Sequence, residues 1–211
     1  MAEAPAQQTM TRVEPLTPAR MGDAHAIQKA FLGSKHVCCC IPLSCGETEA
    51  DLAKKYARAP TRMPMAGVAV GTDGQTVVGF IQVRLHGMPL LDEFEALMHT
   101  TKPGECYIET VAVNSAHRGQ GAGGKMLEWS EAVARAHGAT VLTLSVIKGN
   151  PARRLYERFG FVAQPQDGCE SLSLAVFICC IMGRPYGCFH PDCGAVHMEK
   201  PLGGAPDSSR P

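Results

Sequence analysis

Residues 117–126 read HRGQGAGGKM, and their glycines and basic residues are spaced as if to hold a phosphate. Three patterns fit the same letters. Gly119-x-Gly121-x-x-Gly124 satisfies G-x-G-x-x-G, the dinucleotide fingerprint. Gly119-x-x-x-x-Gly124-Lys125 is a nucleotide P-loop in all but its last position. Arg118-x-x-Gly121-x-Gly123 is an R/Q-x-x-G-x-G/A turn, a spacing that wraps a pyrophosphate. The three share one mechanism, in which glycines let backbone N–H groups reach an anion at the start of a helix. Glycine this dense exceeds what a tight turn needs.

The flanking residues separate the patterns. A P-loop ends in a Ser or Thr hydroxyl that ligates magnesium, and Met126 stands at that position. A dinucleotide fold sets a carboxylate near the end of the next strand, where this chain reads Val146-Ile147-Lys148-Gly149. The third pattern survives both tests.

The elements that must position such a loop follow from periodicity. Residues 1–10 and 203–211 are polar, Gly/Pro/Ser-rich or alanine-rich tails with the composition of disorder, flanking a single domain over 11–202. TRVEPL reads as a first strand and Pro18–Leu32 as a helix with Ala24, Ile27 and Phe31 on one face. His36–Gly46 reads as a loop, and Thr48–Ala57 as a helix that Thr48 and Asp51 cap. AGVAVGTDGQTVVGFIQVRL is two β-prone runs around a TDGQ turn, hence a hairpin. His86–Gly104 is a loop with a short helix, and CYIETVAV a strand that ends just before the glycines. Gly123–His137 is an amphipathic helix with Met126, Trp129, Val133 and Ala136 on its apolar face, closed by Gly138. TVLTLSVI is a continuous apolar strand of the sheet centre. Pro151–Phe159 is a further helix, and strands near Ser171–Ile181 and Ala195–Pro201 finish the chain.

Composition narrows the partners. The 211 residues are 45% hydrophobic and 19% charged, with 20 basic and 20 acidic residues and a formal net charge of zero. That balance favours neither nucleic acid nor an anionic membrane as the main partner. The chain opens MAEAPAQQTMTR, with no basic residues ahead of an apolar run. Its most apolar stretch, Leu172–Gly183, falls short of the roughly 18 residues of a membrane span. Both observations lead us to expect a soluble chain of the cytoplasm, with the nucleus open. The ten cysteines then read as reduced, small, buried hydrophobes. Cys188, His190, Cys193 and His197 are the one group with metal-ligand chemistry, but they lack the paired C-x-x-C knuckles, and no metal is assigned.

With these elements in order, YIETVAVNSAHRGQGAGGKML followed by TLSVIKGNPARRLYERFGF resembles the GNAT superfamily of acyl-CoA N-acyltransferases, most strongly over residues 66–165. The ending MEKPL is also similar to the family's last strand. The resemblance implies an α/β fold: a central mixed sheet of six to seven strands with helices on both faces. It also implies a sheet splayed around acetyl-CoA between Glu109–Val113 and Leu142–Ile147. It places pantetheine along Val111, Ala112 and Val113, and the diphosphate on the N–H groups of Arg118, Gly119, Gln120, Gly121, Ala122, Gly123 and Gly124. Backbone N–H near Val111 would polarise the thioester carbonyl.

The implied reaction is direct attack of a primary amine on the thioester. Such an amine has a pKa of about 10 and must lose a proton first. The resemblance makes Glu109 the general base, working through water, with His86, His99 and His117 as substitutes. It makes Tyr156 the acid that protonates the leaving thiolate. Many relatives carry an asparagine seven residues before that tyrosine, where this chain has Gly149; Asn150, one position later, is the candidate ligand in its place. Acceptor choice falls to Phe31–Thr48, His86–Gly104 and Met182–Val196, and the acidic Asp92, Glu93 and Glu95 would favour a cationic acceptor unless they form a solvated helix face. Two other readings stay open: a silent acyl-CoA-sensing module of the same fold, and a metal-dependent interaction protein using the C-terminal Cys/His residues.

Overall fold

A computed structural model describes residues 12–32, 35–37, 41–43, 47–165 and 195–203. Its strands in chain order are β1 (Arg12–Pro15), β2 (Lys35–Val37), β3 (Ile41–Leu43), β4 (Ala66–Val70), β5 (Val77–Leu85), β6 (Glu105–Val113), β7 (Val141–Ile147), β8 (Val162–Ala163) and β9 (Ala195–Pro201). Seven of them form one sheet in the order β1-β4-β5-β6-β7-β9-β8, while β2 and β3 pair separately. Every neighbour in the large sheet is antiparallel except β6 with β7. That parallel pair needs a crossover, and the glycine loop with its helix supplies it.

The helices are α1 (Met21–Leu32), α2 (Glu49–Arg58), α3 (Glu93–Met98), α4 (Ala122–Ala136) and α5 (Arg153–Arg158). Their sequences explain their limits. Thr48 and Asp51 close a reciprocal capping box at the start of α2. The β4–β5 turn is set by Asp73, whose Oδ1 accepts from the N–H groups of Gln75 and Thr76 at 3.0 and 2.9 Å. Gly74 beside it takes φ +69°, which a β-carbon would resist.

Each sheet face buries its own core. Residues Met21, Ala24 and Ile27 of α1 and Leu52 and Tyr56 of α2 pack with Val68, Val70 and Phe80. On the other face, α4 and α5 bring Met126, Leu127 and Tyr156 against Ile81, Val83, Ile108, Leu142, Leu144 and Met198. Burying Met126 and Leu127 completely is worth about 1.5–3 kcal/mol each.

Some expectations change. In place of the loop expected at 36–46, β2 and β3 pair antiparallel. The two-residue β8 pairs with β9 and has no counterpart in the sequence reading. The buried stripe of α4 runs Ala122, Met126, Leu127, Ser130 and Ala134, so Trp129 and Val133 flank it and Ala136 is exposed. Ser130 hides in that stripe because its hydroxyl donates to the Leu127 carbonyl at 2.8 Å. The expected strand at 171–181, the tail at 1–10, residues 204–211 and every cysteine but Cys106 lie outside the described residues.

Candidate active site

The sheet opens at its centre. Strands β6 and β7 pair from Glu105↔Val141 to Ile108↔Leu144 and no further. Beyond that point β6 stays paired with β5 as far as Gly79↔Val113, and β7 with β9 as far as Ile147↔Ala195. The gap therefore lies between Glu109–Val113 and Ser145–Ile147; Leu142–Leu144, expected to flank it, are paired. A bulge sits at its root, since Gln82 opposes Thr110 and Val83 opposes Ile108, which leaves Glu109 as the extra residue. Bulges bend a strand and end its pairing, which is what β6 does here.

The glycine loop joins the open end of β6 to α4. Asn114 turns the chain by accepting from the Ala116 N–H at 3.1 Å. Gly119 and Gly121 then take φ +78° and +89°, and Gly121 is the residue from which α4 starts. Among the described residues, a β-carbon at Gly119, Gly121 or Gly124 would meet no atom within 4 Å. Gly123 differs, because a β-carbon there would meet Leu155 Cδ2 at 2.9 Å, so it lets α4 approach α5. The first-turn N–H groups of α4 have no intrahelical partner, and among the described residues no side chain caps them. Arg118 and Gln120 are exposed on the same loop.

Glu109 enters a buried charge cluster. Its Oε1 accepts from Arg84 Nε at 2.6 Å, and its Oε2 accepts from Gln82 Nε2 at 2.7 Å and from Arg62 Nη2. Arg62, fully buried, also donates to both Glu95 oxygens at 2.9 and 3.2 Å and to the Pro89 carbonyl at 2.8 Å. Arg84 reaches the His99 carbonyl at 2.7 Å, and Tyr56 Oη donates to Gln82 Oε1 at 2.8 Å. Two guanidinium groups thus face two carboxylates, a balance that buried charge requires. Burial pushes the Glu109 carboxyl above its ordinary range, with Glu95 adding to it, against the pull of Arg62 and Arg84. Sequence reasoning missed Arg62 and Arg84.

Tyr156, on α5, is buried with its ring edge-on to Phe161 at 6.1 Å. Burial raises its hydroxyl to about 12, so it holds its proton through the neutral range. Asn150 Oδ1 accepts from the Ala152 N–H at 2.9 Å, which commits its carbonyl to the start of α5 and leaves its NH₂ group. Exposed His86 bonds the Thr101 carbonyl at 2.7 Å, and His117 lies half-buried ahead of the glycines. His99 donates from Nε2 to Glu105 Oε1 at 2.6 Å and stacks on Tyr107.

The acidic run is not one negative face. Asp92 caps α3 and pairs with Lys55 at 2.7 Å, Glu95 turns inward to Arg62, and Glu93 alone of the three is exposed. Of the four C-terminal Cys/His candidates only His197 is described, and among the described residues no group of three metal-ligating side chains forms. Cys106 is a core thiol that burial pushes up to about 12.

The model of the acetyltransferase (GNAT) family matches residues 38–161, more than half of the 211. The chain belongs to the GNAT acetyltransferase family. It is an acyltransferase, and the opened mixed sheet is that family's fold. A comparison with curated protein sequences finds no match. Among solved structures, yncA of Salmonella typhimurium, solved with its cofactor acetyl-CoA, superposes with a TM-score of 0.60 at 20% identity over 94% of this chain and 98% of that one. The paia N-acetyltransferase of Thermoplasma acidophilum, in complex with coenzyme A, gives 0.55 at 12% identity over 91% and 99%. The ribosomal-protein-S18-alanine N-acetyltransferase of Escherichia coli gives 0.54 at 17% over 95% and 99%. Identities this low speak to the fold alone. Among the described residues no helix is long and apolar enough to cross a membrane.

The charge cluster generates a stability prediction. Arg62→Ala leaves Glu95 and Glu109 buried with Arg84 as their one cationic partner among the described residues and lowers stability by about 3–5 kcal/mol. Urea unfolding monitored by circular dichroism measures it; a loss under about 1 kcal/mol contradicts the buried network.

Proposed function

We propose that this GNAT protein moves the acetyl group of acetyl-CoA to a primary amine by direct attack. The observation that carries the reading is the gap between β6 and β7, which opens beside a helix start whose glycines leave room for an anion. Pantetheine pairs with the free edge of β6 through the backbone of Val111, Ala112 and Val113, as an added strand would. The diphosphate rests on N–H groups between Arg118 and Gly124, where the α4 dipole favours negative charge. Arg118 adds a charge-assisted contact and the Asn150 amide a donor.

In this reading the thioester carbonyl lies at the bulge that carries Glu109, and Tyr156 serves the leaving sulfur from the α5 side. Glu109 takes the amine's proton through a water on Oε1, the oxygen that accepts only from Arg84 among the described residues. Its raised proton affinity suits a base working near neutrality. Attack gives a tetrahedral intermediate whose oxyanion the N–H near Val111 stabilises. On collapse the C–S bond breaks, and Tyr156 gives its proton to the departing thiolate. The acceptor's class is a small-molecule or protein amine. Lys55 and Arg62 offset much of the acidic run, so the site's local charge does not by itself select polycations.

Two substitutions test the reading. Gly124→Glu puts a carboxylate in open space at the diphosphate position, whereas Gly123→Glu would also collide with Leu155. Calorimetry should show Gly124→Glu folded and at least about 100-fold weaker for acetyl-CoA, a loss of roughly 2.7 kcal/mol; unchanged affinity removes the loop from the cofactor site.

Tyr156→Phe keeps the ring and its packing. It should lower kcat for thiol release by about 10²–10⁴-fold with acetyl-CoA affinity retained. Unchanged kcat assigns the proton to solvent and Tyr156 to packing.

A further inference from the structure

Beyond Glu109, the mouth of the gap holds a second set of proton-carrying side chains. Ser145 is the first residue of β7 past its last pair with β6, and it lies opposite His197 in the β7–β9 register. Its Oγ is 3.5 Å from His197 Nδ1. His197 Nε2 is 3.4 Å from Glu199 Oε1. Hydroxyl, imidazole and carboxylate therefore stand in line, from the point where the strands part to a half-exposed glutamate.

We infer that Ser145, His197 and Glu199 form a relay that carries the acceptor amine's proton out of the gap. The inference rests on the acetyl-transfer reading and adds residues to it.

The tautomer follows from the partners. Glu199 Oε1 lies on the Nε2 side of the ring, so the relay uses the Nε2–H tautomer, with the Nδ1 lone pair toward Ser145. Before attack the acceptor ammonium gives its first proton to Ser145 Oγ as Ser145 passes its own to Nδ1; the amine becomes neutral and nucleophilic, His197 becomes an imidazolium facing Glu199, and the second proton, released as the amine attacks, is the one that Glu109 takes through water. Water then takes the proton at the outer end of the line, where Glu199 is half-exposed.

Glu109 is not placed to carry both protons away. A lasting proton there would leave Arg62 and Arg84 buried against Glu95 alone. His197 is suited to the task by its surroundings. Burial and the His99 ring, stacked at 5.1 Å between ring centres, lower its proton affinity below the ordinary imidazole range, against the pull of Glu199 and Glu105, which favours the neutral ring from which the relay starts.

The test uses the full chain with acetyl-CoA and a set of primary amines: lysine, spermidine and a peptide with a free N-terminus. Activity should fall with pH as His197 protonates, giving wild-type kcat/KM an acid limb. His197→Gln and Ser145→Ala should each lower kcat by about 10²-fold, flatten that limb and leave acetyl-CoA affinity within about twofold. The double variant should be no worse than either single one, and Ser145→Thr, which keeps the hydroxyl, should recover most of the rate. Nitrogen-15 shifts should show the Nε2–H tautomer in the wild-type protein and a changed Nδ1 environment in Ser145→Ala.

An unchanged rate and pH limb in His197→Gln overturns the relay while leaving the acetyl-transfer reading in place. A wild-type protein that binds acetyl-CoA yet releases no thiol with any of these amines overturns both.

Discussion

One constraint governs this molecule: two neighbouring strands in the middle of a sheet stop pairing. An unpaired ladder edge normally sits at the rim of a sheet, where water satisfies it. Here the edges of Glu109–Val113 and Ser145–Ile147 face a gap between two well-packed half-sheets. The bulge at Glu109 turns β6 away, and β9 keeps β7 in place on its far side. Everything of chemical interest collects around that parting. The glycine loop leaves from the end of β6, and Ser145 marks the first free residue of β7.

The buried cluster of Arg62, Arg84, Glu95 and Glu109 is best understood as the support for that geometry. A bulge residue carrying a carboxylate toward a core is costly unless matched, and two guanidinium groups match it. The same arginines bond carbonyls of Pro89 and His99, so they also fasten the β5–β6 connection to the sheet. Stability and site geometry are coupled here. The segment that meets the acceptor in the proposed reaction is held by the side chains that hold the proposed base.

Much of this was legible in the sequence, for local reasons. Strand runs such as VVGFIQVRL, the TDGQ turn and the Thr48–Asp51 cap are written in residues close together in the chain. So is the glycine loop. What failed to show was written across the chain. Arg62 sits in a proline-bounded turn with nothing to mark it, yet it meets Glu109 across 47 positions. Arg84 did leave a trace, since Gln82 and Arg84 alternate on one side of an otherwise apolar strand, a pattern that calls for buried partners. His197 drew attention as a metal-ligand candidate with Cys188 and Cys193, while its observed neighbours, Ser145 and His99, lie far off in sequence. The α4 stripe was misplaced because Trp129 outweighed Leu127 and Ser130 in a reading by hydrophobicity alone.

The central claim, that the gap and the loop together form an acetyl-CoA site, is tested most directly by the thermal unfolding of the wild-type protein with and without acetyl-CoA. Ligand at a hundred times its dissociation constant should add about 2.7 kcal/mol to stability and raise Tm by a few degrees, with coenzyme A doing the same. No rise in Tm at millimolar acetyl-CoA, in a protein that unfolds cooperatively, would contradict the account.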